Sequence, residues 1–288
     1  MQNNTLFGIT LMIITTFLFS TMDGVSRYLA ENNSVLSLVS FRYWFVSILI
    51  VISCLFIKNS FKRIIYTQQP LLQFSRGLIL SVNNCIVIYS FTLIGLIETH
   101  AIIACYPLIV AVLSVLFLGE KFGWRRWSAI ALGFVGVIII IRPSMEIFSG
   151  GSIFALVGAI LFSIYLILTR HASKKDNVIT SFFWMGLGGT ITMSIVSFFT
   201  WREISQEYWM WLLLMCTISA ISHFLMVKTL QVAQASVIQP FSYLQLVFAS
   251  FIGVIFFSET IDKMILMGTG IVICAGLFTF WREYKKKL

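Results

Sequence analysis

The sequence divides into long runs that contain no charged residue, and this limits the fold more than any other feature. Such runs cover 6–22, 43–57, 77–97, 101–119, 127–141, 147–169, 177–201, 208–227, 229–258 and 264–281. A helix needs about 20 mostly apolar residues to cross the hydrocarbon core of a bilayer. With flanking polar residues included, the runs predict ten spans: 6–29, 35–57, 71–94, 97–118, 124–141, 151–170, 178–200, 208–228, 235–257 and 263–281. Barrel strands are excluded, because the runs are twice strand length and do not alternate apolar with polar. Composition agrees. Of 288 residues, 59% are hydrophobic and 11% charged. A soluble domain carries about a quarter charged residues, so a soluble enzyme with an ordinary surface is ruled out. The expected class is an all-α membrane protein.

Lysine and arginine distribution orients such a chain. With the N-terminus inside, the inner loops and tail hold Lys58, Lys62, Arg63, Lys121, Arg125, Arg126, Arg170, Lys174, Lys175, Lys228, Arg282, Lys285, Lys286 and Lys287. The outer loops hold Arg27, Arg142, Arg202 and Lys263, a bias of fourteen to four. Both termini are therefore expected in the cytoplasm, with the chain in the inner membrane. The net charge of +9 then reflects contact with anionic lipid, and nucleic acid is not an expected partner. No basic residue precedes the first span, so a cleavable signal peptide is not expected. Cys54, Cys85, Cys105, Cys216 and Cys274 all fall within spans and form no Cys-x-x-Cys pair. They are expected as small packing residues rather than metal ligands or disulfides.

The two halves resemble each other. Glu120 and Glu259, offset by 139, each end an apolar run that a glycine-containing span follows. "FSTMDGVSRY" (19–28) and "FSIYLILTRH" (162–171) align at an offset of 143, with Arg27 opposite Arg170. Each half holds five spans. Five is odd, so the second copy must enter the membrane inverted. The expected units are 1–146 and 147–288. Inverted repeats characterise secondary transporters, whose substrate site lies near the midplane between the repeats.

"FRYWF" (41–45), "RGLILSVNN" (76–84), "YPLIVAVLSVLFLGEKFGWRRW" (106–127), "GFVGVIIIIRP" (133–143) and "PFSYLQLVFASFIGVIFFSE" (240–259) together resemble the drug/metabolite transporter superfamily, EamA type. The fourth- and ninth-span motifs and "DGVSRYL" (23–29) are similar to the bacterial S-adenosylmethionine uptake group. The resemblance implies an inverted-repeat basket. Spans one, three, four, six, eight and nine would line a central cavity, with five and ten at the periphery. It also implies alternating access and no prosthetic group.

An ionisable residue inside the membrane is costly and marks function by default. Asp23 is expected to pair with Arg27 or Arg42, or else to bind a cationic group or carry a coupled proton. Arg42 and Arg76 are structural or coupling charges, and either could meet a substrate carboxylate. Arg76 and Lys228 could instead snorkel to the inner headgroups. His100 and His223 are packing histidines or substrate contacts. Of the adjacent Asn83 and Asn84, at least one should face the cavity. Tyr89, Tyr106, Tyr165, Trp184, Gln239, Tyr243 and Gln245 complete the candidates for substrate binding, with Gln239, Ser242 and Gln245 on one face of the ninth span. Glu98 and Glu120 lie at span ends, where a helix-end role is expected. Trp124, Trp127, Trp201, Trp209, Trp211 and Trp281 suit interfacial belts. Gly151, Ala155, Ala159 and Ser163 form a close-packing face of the sixth span. Small residues in the fifth and tenth spans suit helix packing within a monomer, with a dimer seam as the alternative.

The expected function is secondary transport of a small amino acid, amine, sulfonium or quaternary cation, with a proton or counter-substrate as possible coupling partner. An intramembrane enzyme would need a nucleophile–base set or metal ligands. The single well-embedded aspartate and two separated histidines do not supply these. A passive channel would need repeated charged or carbonyl-lined segments.

Overall fold

The computed structural model describes residues 5–56, 64–118, 123–141, 150–233 and 238–287. Glu120, the side chains of Cys54 and Gln239, and the boundary expected at residue 146 lie outside what is described. The described residues form helices α1 (Thr5–Ala30), α2 (Val35–Phe56), α3 (Pro70–Ile103), α4 (Tyr106–Leu118), α5 (Trp124–Ile141), α6 (Gly150–Ala172), α7 (Val178–Thr200), α8 (Trp209–Val232), α9 (Leu244–Phe257) and α10 (Lys263–Lys287). Six helical stretches are long and apolar enough to cross a membrane, and four shorter ones are apolar.

The fourth and ninth spans are not single helices. The α3 stretch breaks at Gly95, where φ is 83° and ψ is 175°. That conformation is essentially restricted to glycine. Residues 96–103 then form a short helical piece, and a turn at Ala104–Cys105 leads into α4. Pro107 fits the first turn of α4, where no donor is needed. At 13 residues, α4 spans about 20 Å; the preceding piece supplies the remaining depth. Likewise α9 is preceded by a 3-10 turn, Gln239–Tyr243, whose second residue, Pro240, has no N–H to donate. Discontinuous helices at membrane depth are tolerated where protein or a cavity covers the freed backbone.

Helix packing is reciprocal. α1 packs on α8 and α9, while α6 packs on α3 and α4; α2 lies on α7, and α5 lies on α10. Close approach depends on missing side chains. A Cβ at Gly136 would sit 2.7 Å from the Gly268 carbonyl oxygen, and one at Gly268 would sit 2.6 Å from that of Gly136. Gly136 and Gly268 thus face each other within one chain. Ala155, Ala159 and Ser163 are fully buried, and Gly151 abuts Leu93 and Ile94, as the small-residue face predicts. Trp124, Trp127, Trp201, Trp209, Trp211 and Trp281 are all exposed, which suits interfacial belts. Lys228 does not end its span. α8 continues to Val232, and the Lys228 ammonium lies 5.6 Å from the centre of the Phe7 ring, within cation–π range.

Candidate functional site: a charged cavity between discontinuous helices

A polar cavity lies where α1, α2, α3, the 96–103 piece, α4, α6, α8 and α9 converge. Asp23, Arg42, Asn83, Asn84, His100, His223 and Gln245 line it together with Phe19, Tyr106 and Phe162. Its open volume is about 60 Å³. That is room for a few waters, far below the ~300–1,000 Å³ of a pocket filled by a small-molecule ligand. A small-molecule substrate fits this space only if the helices part.

The aspartate is buried and approached from two sides, by a hydrogen bond from Gln245 and by a His100 nitrogen that is within ion-pair distance but makes no hydrogen bond. His100 Nε2 lies 3.2 Å from Asp23 Oδ2, and Gln245 donates its Nε2 to the same oxygen at 3.3 Å. Both partners sit on discontinuous spans, so the carboxylate ties α1 to the two irregular segments. His100 also stacks on Phe91, with centroids 5.5 Å apart. The expected pairing of Asp23 with Arg27 or Arg42 is therefore overturned. Arg27, four residues on, instead pairs with Glu259 and, at 3.9 Å, with Glu31. Arg42 lines the same cavity but spends Nη1 on Met22 Sδ at 3.6 Å.

Further polar atoms stand open on the cavity. Asn84 donates to the Tyr43 hydroxyl at 2.9 Å, but Asn83 Oδ1, Arg42 Nη2 and both ring nitrogens of His223 have no hydrogen-bond partner. Both asparagines face the cavity, where at least one was expected. Phe19 meets His223 edge-on at 5.0 Å, and Tyr106 meets Phe162 at 5.1 Å. The lining thus combines one carboxylate, one guanidinium, neutral amides and aromatic faces. It can recognise a small molecule that carries both charge and flat apolar surface.

Two networks close the bundle at its opposite ends. At the α1 C-terminal end, Glu259 accepts the backbone N–H of Leu96 at 2.7 Å and of Ile97 at 2.8 Å. It thereby caps the short helix that starts after Gly95. The same carboxylate pairs with Arg27, whose guanidinium lies over the Phe257 ring at 4.1 Å. Ser258, in the left-handed region with φ 52°, ends α9 and turns the chain so that Glu259 can reach back. At the other end, Asp176 accepts from Thr67 at 2.6 Å and Gln73 at 2.7 Å. Gln73 in turn contacts Arg76, and Arg76 donates to Thr169 at 3.0 Å.

Several expected contacts belong elsewhere. Arg76 is fully buried in this second network and stacks over Tyr165 at 5.5 Å, so it neither snorkels nor lines the cavity. Tyr165 directs its hydroxyl to Met185 Sδ at 3.4 Å, so its polar end is used in packing. Tyr89 is exposed and opens on a different groove, with Asn33 and Phe154; its position on α3 is turned away from the centre. Trp184 donates to the Ile65 carbonyl at 2.9 Å, which anchors the segment before α3. Tyr243 is buried against Gly276 of α10, two residues and so about 200° of helix rotation from Gln245. Sequence reasoning missed the wall formed by Phe19, Met22, Gly158 and Phe162 and the roles of Glu259 and Asp176; it named Arg42 but left its helix, α2, out of the cavity-lining spans. The paired glutamates at offset 139, with a glycine-led break beside one of their targets, were the available signal for Glu259.

Comparisons with known proteins agree with this architecture. The family model for the EamA-like transporter family matches residues 6–142 and 149–281. An S-adenosylmethionine uptake transporter of Rickettsia felis (strain ATCC VR-1525 / URRWXCal2) is 26% identical, over 97% of this chain and 94% of its own length. A riboflavin transporter of Vibrio cholerae serotype O1 (strain ATCC 39315 / El Tor Inaba N16961) is 23% identical, over 99% and 96%. One solved structure, described only as the crystal structure of a protein, superposes with a TM-score of 0.67 at 11% identity. It covers 93% of this chain and 94% of that one, a likeness of fold alone.

Proposed function

Because this chain belongs to the EamA-like transporter family, we propose that it moves a cationic or zwitterionic metabolite of the S-adenosylmethionine type across the inner membrane by alternating access. The observation that carries the reading is Asp23, a buried carboxylate flanked by His100 and Gln245 inside an aromatic-walled cavity. A sulfonium or ammonium group is attracted to such a carboxylate and to the ring faces of Phe19, Tyr106 and Phe162. Flavin transport gains no comparable support, since a neutral isoalloxazine ring would leave that charge unanswered. A proton is the natural competitor for Asp23, so coupling to proton movement belongs to the same proposal.

The transport cycle needs two related halves, and the chain divides into inverted repeats at 1–146 and 147–288. Hydrogen bonds support this. Ser20 donates to the Gln245 carbonyl at 2.8 Å, and Ser163 donates to the Tyr106 carbonyl at 3.2 Å. Serines 20 and 163 differ by 143 and residues 106 and 245 by 139, which are the offsets between the halves. Ser47 and Thr190, also 143 apart, bond to each other at 2.6 Å, as two equivalent positions on a two-fold axis would. With the positive bias of the loops, both termini lie in the cytoplasm. The Glu259 network then closes the outer end and the Asp176 network the inner end. Alternating access breaks one while keeping the other.

The test is uptake of labelled S-adenosylmethionine into proteoliposomes with matched protein content. Saturable uptake by the wild type, lost in Asp23→Asn protein that inserts and folds, is the expected result. Equal uptake by the two proteins would remove Asp23 from the mechanism.

A further inference from the structure

We propose that Arg42 is a docking point for a carboxylate on the substrate, so that the cavity takes a zwitterion of the α-amino-acid kind rather than a simple cation. This deepens the reading above and rests on it for the cavity being the substrate site.

Arginine stays charged in proteins and presents five donors in a planar fork. Burying that fork is expensive unless anions or acceptors answer it. Arg42 is 2% exposed. Its Nη1 has only the soft sulfur of Met22 at 3.6 Å, and its Nη2 has no hydrogen-bond partner. The nearest ring centre, that of Tyr43, is 5.9 Å away, at the limit of cation–π range. The other two arginines embedded in the bundle are answered differently. Arg27 has Glu259 and the Phe257 ring. Arg76 has Gln73, Thr169 and the Tyr165 ring, although its Nη2 is also open. Arg42 alone among these three lines the cavity.

The repeat relation gives an independent argument. At the offset of 143 that pairs Ser47 with Thr190 on the same two helices, Arg42 corresponds to Met185. Met185 is buried and receives the Tyr165 hydroxyl at 3.4 Å. The same place in the second half is thus filled by an uncharged side chain. Architecture does not demand a guanidinium there.

Around Arg42 the cavity offers a matching set. Asp23 answers a cationic group, and Asn83 Oδ1, open on the same cavity, accepts from an ammonium. His223, with both ring nitrogens open, adds a donor for a carboxylate oxygen. A carboxylate and a cationic centre two bonds apart on one headgroup can use both ends of this set at once. Arg–carboxylate pairs are commonly bidentate, which adds geometric selectivity.

The experiment compares matched ligand pairs that differ by one carboxylate: S-adenosylmethionine and its decarboxylated form, L-arginine and agmatine, L-lysine and cadaverine, L-methionine and 3-(methylthio)propylamine. Thermal stabilisation of the purified full-length protein gives the affinity of each. For the wild type the carboxylate-bearing member of a bound pair is expected to bind about 10- to 100-fold more tightly, the worth of a charge-assisted contact. In Arg42→Gln the ratio should collapse to within about threefold, and Arg42→Lys should keep an intermediate preference, since a point charge lacks the fork. A wild type that binds both members of its pairs equally overturns the proposal, and so does Arg42→Gln with the wild-type ratio. If S-adenosylmethionine does not bind but an amino acid pair shows the preference, the S-adenosylmethionine reading fails and Arg42 keeps its role. If no member of any pair stabilises the wild type, both readings fall. Should Arg42→Gln not fold, the wild-type ratio and Arg42→Lys decide.

Discussion

Replacing Glu259 by glutamine tests whether the outer network holds the closed state. The carboxylate accepts two backbone N–H groups at 2.7 and 2.8 Å and pairs with Arg27. A hydrogen bond to a charged acceptor contributes about 1.5–3 kcal/mol, and a negative charge at a helix N-terminus adds about 0.3–1 kcal/mol. Glutamine keeps the shape and one acceptor, but turns an amide NH2 toward the second N–H or toward Arg27. About half the stabilisation should go, on the order of 2–4 kcal/mol by the same values. The side chains of Arg27 and Glu259 are 15% and 14% exposed, so solvent compensates a little and the lower end is expected. If the contact exists only while the outer end is closed, about 2 kcal/mol shifts the closed-to-open ratio by roughly 30-fold. The assay uses Met22→Cys as a reporter on the cavity wall, with the native cysteines replaced, and an impermeant maleimide added outside intact cells. Glu259→Gln should label at least about tenfold faster than the Met22→Cys parent. Equal labelling rates with an unchanged melting temperature would refute the argument that this carboxylate is a closing contact.

Gly95→Ala should weaken the same end by a separate route. Its positive φ disfavours a side chain by about 1–3 kcal/mol, and the new Cβ would lie 2.6 Å from Glu259 Oε1; a melting curve that matches the wild type would refute this. Gly136→Leu should separate α5 from α10, because the Gly268 carbonyl opposite is backbone and cannot swing away. A loss of at least about 1–3 kcal/mol, read as a lower melting temperature, is expected, and an unchanged value would count against the seam. Reporter fusions after Arg63 and after Glu146 should give cytoplasmic and external signals respectively. The same signal at both points would defeat the orientation on which the inner and outer ends are assigned.

Span number and the direction of burial were legible because they follow from composition along the chain. Ten uncharged runs became ten helices among the described residues, and the small-residue face of α6 packed as its spacing predicts. The partners of the charges were less legible. Arg27 is the nearest arginine to Asp23 in sequence, and i,i+4 spacing favours that pair. The chain instead brings in Glu259, separated from Arg27 by most of its length. Tyr89, Trp184 and Tyr243 are polar or aromatic side chains inside spans, as Tyr106 is. Which of them reaches the cavity depends on helix rotation.

The hydrogen bonds that recur at the two repeat offsets are structural ones, from a serine hydroxyl to a carbonyl or to its own counterpart. The charges that line the cavity do not recur, although Arg27 has Arg170 opposite it and Glu259 has Glu120. Asp23 corresponds to Leu166 and Arg42 to Met185 at the offset of 143, and His100 to Gln239 at the offset of 139. Two halves of one fold can rock about a shared axis only if their packing contacts match, so symmetry is required of the scaffold. A single asymmetric molecule bound near that axis needs unlike groups on its two sides. A carboxylate and a guanidinium contributed by the first half, facing amides and aromatics from both halves, fit such a ligand. On the proposed reading, the asymmetry belongs to what is carried rather than to the frame that carries it.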